Sequence, residues 1–246
     1  MTAKRGVLYG VGLGPGDPEL VTLKAARIVS SAATISYFRK RGHAGHARTI
    51  AQTLIPSTAT EIAFDYPVTT EIGFRDDAYI NQMRDFYAEC AAQLTSLLDN
   101  GQNIVLLCEG DPFFYGSFLH MYDRIKASHD VQVVPGITGM SGCWTAAGQP
   151  MTYGDDILTV LPGTLERAAL TAYLARSDAA VIMKVGKNLE KIRAALQEAG
   201  RLDRAVYVER GTMADERVIP LSDFNDQPAP YFSIILVPGG QGRRIV

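Results

Sequence analysis

Gly10-Val11-Gly12-Leu13-Gly14-Pro15-Gly16-Asp17-Pro18 ends a short apolar run over residues 6–12 and leads into apolar residues at three- and four-residue spacing over 20–29. The order is strand, tight turn, helix, which is where a dinucleotide-binding sheet would hold pyrophosphate. The glycine spacing does not allow that use. A GxGxxG motif starting at Gly10 needs glycine where Pro15 stands, and one starting at Gly12 needs it where Asp17 stands. A phosphate wants free N–H groups and a positive potential; proline has no N–H and a carboxylate repels the anion. Two readings of the nine residues remain. One is a turn in which Asp17 caps the next helix. The other is a stiff, exposed backbone that lets a flat ligand come close.

Outward from this loop the pattern repeats. Residues 33–38 read as a second strand, with Arg39 directly after it. Residues 76–99 carry Tyr79, Ile80, Met83, Phe86, Tyr87, Cys90, Leu94 and Leu97 on one helical face, and Asn100-Gly101 ends that helix. Ile104–Cys108 is a continuous apolar strand running into Glu109-Gly110-Asp111-Pro112-Phe113-Phe114-Tyr115-Gly116-Ser117. Residues 131–134 form another strand, and Pro135-Gly136-Ile137-Thr138-Gly139 a third glycine-rich turn. Strand and helix in alternation predict a parallel sheet covered by helices. Beyond it, strands are expected at 158–161, 180–185, 205–208, 217–221 and 231–237, with helices at 165–174 and 189–199. Only loop separates the last two strands, so they are expected to pair antiparallel. The fold class is thus α/β: two α/β domains, 1–137 with a parallel sheet and 138–246 with a mixed sheet.

A net charge of -2 over 246 residues leaves no electrostatic footprint for nucleic acid or an anionic membrane. No leader-like apolar region follows Met1, and no apolar run is long enough to span a bilayer. Cys90, Cys108 and Cys143 are too scattered for a zinc cluster and read as free thiols in a reducing, cytoplasmic setting. His43 and His46 form an HxxH pair without an acidic or cysteine partner, so no metal site is expected. Trp144, Tyr79 and Phe86 read as core or interface residues, and His120 and His129 as ordinary helix and loop residues.

The three glycine loops in this order resemble the tetrapyrrole methylase family. The matching stretches are Val11-Gly12-Leu13-Gly14-Pro15-Gly16-Asp17-Pro18-Glu19-Leu20, Gly110-Asp111-Pro112 and Val134-Pro135-Gly136-Ile137-Thr138. The resemblance implies S-adenosylmethionine and substrate in a cleft between the two domains, and a homodimer. Met183-Lys184-Val185-Gly186-Lys187-Asn188-Leu189-Glu190-Lys191-Ile192, Tyr207 to Arg217 and Tyr231-Phe232-Ser233 resemble the C20-methylating branch. Tyr66-Pro67-Val68-Thr69-Thr70-Glu71-Ile72, with Glu109-Gly110-Asp111 and Tyr115-Gly116-Ser117, resembles its metal-free, aerobic-pathway members, whose substrate is precorrin-2. By position, the implied cofactor contacts are Pro15, Glu109, Gly110, Asp111, Phe114, Thr138, Gly139, Val185 and Gly211. Glu109 stands where some relatives carry a small residue.

Methylation at C20 also requires a proton to leave that carbon. Glu109, Asp17, Tyr115 and His120 are the candidate acceptors. Gly14, Asp17, Arg39, Arg41, Lys184 and Arg210 are expected to hold a macrocycle whose rim carries carboxylates, with Lys187 beside them. Residues 28–60 contain no Asp or Glu but carry Arg39, Lys40, Arg41 and Arg48 with His43 and His46. Arginine forks suit carboxylates, while a solvated basic loop is the plain alternative. Other open readings are the cobalt-containing substrate, another macrocycle carbon, an NADP-dependent oxidoreductase with Arg39 as selector, and a tetrapyrrole carrier.

Overall fold

The computed structural model describes residues 5–68, 76–224 and 229–240. The stretch 69–72 of the substrate-related motif and residues 241–246 of the tail lie outside the described residues. The chain divides into two compact units, Met1–Gly139 and Met140–Val246.

In the first unit the strands are β1 (Val7–Gly12), β2 (Thr34–Lys40), β3 (Thr60–Tyr66), β4 (Ile104–Cys108) and β5 (Asp130–Val134). They form one sheet in the order β3-β2-β4-β1-β5, parallel at every pairing. The helices are α1 (Leu23–Ser30), α2 (His46–Ile50), α3 (Asp77–Asp99) and α4 (Phe118–Ile125). β4 shows how the sheet is covered. Ile104, Leu106 and Cys108 pack with Leu94 and Leu98 of α3 and Met121 of α4. Val105 and Leu107 pack with Val29 of α1 and Ile50 of α2. Successive side chains of a strand point to opposite faces, so a wholly apolar strand fills both cores.

α1 and α2 therefore cover one face and α3 and α4 the other. β4 lies between β1 and β2, yet the connection leaving it goes to the opposite face from theirs. Where neighbouring connections leave on opposite faces, the carboxyl edge is the place at which open α/β sheets bind ligands. The loops after β1 and β4 lie at that edge.

Some expected elements shift or gain neighbours. The first helix begins at Leu23, capped by Thr22, while Asp17 caps a separate 3-10 turn, Pro18–Leu20. β2 runs through Lys40, so Arg39 lies within the strand and not after it. β3, α2 and α4 are additions to the sequence reading.

In the second unit α5 (Gly139–Ala146) leads into β6 (Leu158–Pro162), α6 (Arg167–Arg176), β7 (Ala179–Met183), α7 (Leu189–Glu198), β8 (Val206–Glu209), β9 (Arg217–Pro220) and β10 (Ser233–Val237). The sheet order is β6-β7-β10-β8-β9. β6 and β7 are parallel, and β10 runs antiparallel to both β7 and β8. β9 pairs antiparallel with β8, not with β10. The expectation that the last two strands pair with each other is thus corrected: β10 inserts between β7 and β8, where its fully buried run Ser233–Val237 is covered on both sides. α6 and α7 cover one face, and Cys143 of α5 packs with Val181, Val208 and Leu236 on the other. All three cysteines are free and buried, and burial pushes the thiols of Cys90 and Cys143 up to about 12. Phe86 joins an aromatic cluster with Phe38, Tyr66 and Tyr87, and Trp144 packs on the α5 core, as expected for structural residues.

Candidate functional site

Three loops of the first unit meet at glycine backbones. Gly14 and Gly110 form an antiparallel bridge in which the Gly110 N–H donates to the Gly14 carbonyl at 2.8 Å. A Cβ on Gly12 would stand 2.6 Å from both the Gly110 oxygen and the Gly136 nitrogen. A Cβ on Gly136 would overlap the Gly110 carbonyl outright. No residue but glycine fits either place, because real Cβ atoms do not come so close. The loops after β1, β4 and β5 are therefore one constellation at the carboxyl edge.

Asp111 fastens this junction. Its Oδ1 accepts from the Phe113 N–H at 2.9 Å, and its Oδ2 accepts from the Gly136 N–H at 3.1 Å. The carboxylate joins the second loop to the third. Gly110, at φ +63, faces Ile137, Thr138 and Gly139, and a Cβ on Gly139 would meet nothing within 4 Å. Space is thus left beside the Gly139 Cα, as a closely approaching flat ligand requires. Pro15 is buried at the foot of the first loop. Phe114 packs edge-on to Tyr115 at 4.8 Å, and Tyr115 is exposed with φ +55. This half of the expected cofactor set is brought together.

Glu109 leans the other way. Its Oε1 accepts from the Ala47 N–H, at the start of α2, at 3.1 Å. Crowding by neighbouring chain raises the Glu109 carboxyl above the usual carboxylate range, while the N–H groups of Glu109 and Ala47 and the nearby His46 oppose the rise. The residue as a whole is exposed, so solvent tempers the effect.

The other candidate proton acceptors are spread around this edge. Asp17 Oδ1 is engaged by the Glu19 N–H at 2.8 Å. His120, on α4, stacks on Tyr87 at 4.1 Å, and desolvation followed by the charge of Arg124 lowers its pKa. Tyr87 and Tyr66 both bond the Ser117 hydroxyl, at 3.0 and 2.6 Å. This hydroxyl cluster escaped the sequence reading, because three residues from three elements meet only in the fold. His129 is no ordinary loop residue either: it is buried, with Nε2 at 3.2 Å from Asp99.

The basic segment is less free than its sequence suggests. Arg39 pairs with Asp65 at 2.7 Å, its in-register neighbour on β3. Arg48 makes two bonds to Glu61, at 3.1 and 3.0 Å. Acids absent from residues 28–60 are supplied by the next strand. Arg41 is exposed and forms no ion pair among the described residues.

In the second unit, β7 and β8 both run antiparallel to β10, so their carboxyl ends share one edge. Lys184, Val185, Arg210 and Gly211 follow those ends. Lys184, Arg210 and Thr212 all adopt positive φ, at 57°, 49° and 71°. Gly211 has no room for a side chain, since its Cβ would lie 2.8 Å from Cys143 Sγ. Val185 is fully buried in the α6–α7 core, so only its backbone can meet a ligand. Arg210 pairs with Glu209 at 2.6 Å and Asp215 at 3.2 Å. Among the described residues no group of three or more His, Cys, Asp or Glu could hold a metal, and no helix is long and apolar enough to cross a membrane.

A family model described as "Tetrapyrrole (Corrin/Porphyrin) Methylases" matches residues 7–224. The chain belongs to the tetrapyrrole methylase family. Among its relatives, a precorrin-2 C(20)-methyltransferase from Sinorhizobium sp is 50% identical over 97% of each chain. A cobalt-precorrin-2 C(20)-methyltransferase from Salmonella typhimurium is 28% identical over 94% of this chain and 96% of that one. Among solved structures, a uroporphyrin-III C-methyltransferase from Thermus thermophilus complexed with S-adenosylhomocysteine is 25% identical, with a TM-score of 0.64 over 94% of this chain and 97% of that one. Membership sets aside the oxidoreductase reading, as the broken dinucleotide fingerprint already implied.

Proposed function

We propose that this tetrapyrrole methylase is an S-adenosylmethionine-dependent C-methyltransferase that methylates precorrin-2 at C20, giving precorrin-3A in cobalamin biosynthesis. The observation that carries this reading is the 50% identity, across 97% of both chains, with a precorrin-2 C(20)-methyltransferase. The more distant likeness to a cobalt-precorrin-2 enzyme keeps the cobalt complex as the second substrate to test.

The bound sulfonium supplies an electrophilic methyl group with a good leaving group. The chain's share is positioning, which alone can contribute effective molarities on the order of 10⁵ M or more. Backbone at Pro15, Gly110, Thr138 and Gly139, with Phe114, would hold the cofactor, and so would backbone at Val185 and Gly211. Asp111 keeps two of those loops together. Gly14, Asp17, Arg39, Arg41, Lys184 and Arg210 would face the substrate. The enzyme is taken to be a cytoplasmic homodimer.

The deciding experiment supplies methyl-labelled S-adenosylmethionine with precorrin-2 or its cobalt complex and locates the new methyl by NMR. Label at C20 of precorrin-2 is the expected result. Label at another carbon, or with the cobalt complex alone, would refute the assignment.

A further inference from the structure

We infer that Glu109 is a positioning residue: it fixes the basic loop between β2 and α2 to the loop after β4, and it is neither a cofactor contact nor the acceptor of the C20 proton. The inference rests on the substrate reading above.

Two side-chain hydrogen-bonded contacts add to the apolar packing of Ala47 and Ile50 on the sheet. On one side Arg48 grips Glu61 of β3 with two bonds. On the other, Glu109 Oε1 takes the Ala47 N–H. α2 is only five residues long, and its preceding residue, Gly45, offers no side-chain cap. Its first N–H groups have few partners within the helix. Glu109 supplies one across 62 positions of sequence. Gly45, at φ +86, packs back onto Arg39 and Tyr37, where an added Cβ would lie 3.2 Å from each side chain. The loop Arg41-Gly42-His43-Ala44 is thereby pinned at its far end while its side chains stay exposed.

Glu109 immediately precedes Gly110, which bridges to Gly14 and abuts Thr138 and Gly139. One residue thus joins the cations that would meet an anionic macrocycle to the glycine junction that would meet the cofactor. An oxygen accepting the Ala47 N–H is what the place requires, and a glutamine carbonyl supplies one, whereas a proton acceptor must be basic.

Glu109→Gln and Glu109→Asp separate reach from charge. Gln keeps the length and an acceptor oxygen; Asp keeps the charge but is one methylene shorter. Asp is expected to raise the tetrapyrrole KM about five- to tenfold with kcat within about twofold, the loss of one such bond. Gln is expected to hold KM within about twofold and kcat likewise. S-adenosylmethionine affinity, read by calorimetry, should shift less than about twofold in both and serves as the fold control. A hundredfold fall in kcat for Gln would make Glu109 the base and overturn the inference. An unchanged KM for Asp would overturn it as well. If the wild-type chain does not methylate precorrin-2, it is the substrate reading that fails, and that result precedes either variant.

Discussion

The carboxyl edges of the two sheets solve the same problem with different residues. In the first unit, close approach falls on Gly12 and Gly136, which leave no space for a side chain, and left-handed backbone falls on Gly14 and Gly110, with Tyr115 the one non-glycine residue to adopt it among the described residues of these loops. In the second, Gly186 is joined at the edge by three non-glycine residues in left-handed backbone, Lys184, Arg210 and Thr212. Glycine adopts such conformations freely, whereas other residues lose about 1–2 kcal/mol apiece. A β-branched threonine at φ +71 is the most strained of the three. Such strain persists where surrounding structure fixes it. Here the Arg210 N–H donates to the Phe232 carbonyl, and the Thr212 N–H to Glu216, each at 2.8 Å. The first edge is shaped for close approach of backbone. The second spends stability to aim long cationic side chains.

The strongest way to break the comparison is to put a methyl into the first edge. Gly136→Ala must displace the Gly110 carbonyl, and is expected to cost about 2–3 kcal/mol, the usual range for overpacking. Gly139→Ala, with open space around its Cβ, should stay within about 0.5 kcal/mol. Denaturant melts of both variants check this. Equal stabilities would mean that the glycine junction is not tightly packed.

Next in size is the fastener. Asp111→Ala removes both carboxylate bonds and should cost about 2 kcal/mol, since bonds to a charged group contribute about 1.5–3 kcal/mol. Because Asp111 ties the loops together, the variant should lose S-adenosylmethionine affinity together with stability. A variant as stable as wild type that nonetheless binds the cofactor weakly would place Asp111 on the ligand itself.

On the strained edge the sign reverses. Thr212→Gly relieves the positive φ but gains chain entropy when unfolded, for a net stabilisation of roughly 0.5 kcal/mol. That corresponds to about 1–2 °C in Tm for a chain of this size. Calorimetry showing a lower Tm would mean that side-chain contacts of Thr212 outweigh its backbone strain.

The same contrast explains what the sequence made legible. Glycine loops announce themselves, so the first edge and the β1 turn could be read directly, as could β4, whose five apolar residues allow little else. Strain on Lys184, Arg210 and Thr212 leaves no mark in composition. β3 carries Ile62, Phe64 and Tyr66 in alternation with Glu61, Ala63 and Asp65, but Ala63 blurs the contrast and Tyr66 also opens the motif that follows. α2 is too short for periodicity to show, and α5 is too rich in small residues to present a stripe. The insertion of β10 between β7 and β8 depends on pairing across more than fifty residues for β7, which no local pattern encodes. Charge misled for a related reason. Residues 28–60 are free of acids in sequence, but register sets Asp65 and Glu61 beside Arg39 and Arg48.

The smallest effect therefore falls on the cations of the first edge, and it divides them. Arg39 already has Asp65 at 2.7 Å, and Arg210 in the second unit is likewise held by Glu209 and Asp215. An arginine so paired can turn to a substrate carboxylate only by sharing its fork. Arg41 is exposed in the loop that Glu109 pins and has no ion pair among the described residues. Arg41→Ala should raise the precorrin-2 KM about two- to threefold at low salt and leave stability unchanged. That increase should fade at physiological ionic strength and above, because exposed charges are screened beyond roughly 8 Å there. Arg39→Ala should change KM less, since the variant also frees Asp65, whose charge repels the same rim carboxylates. Steady-state kinetics across a salt series distinguishes the two. If Arg39→Ala raises KM more than Arg41→Ala at every salt concentration, the paired arginine is the grip, and Asp65 serves to aim it.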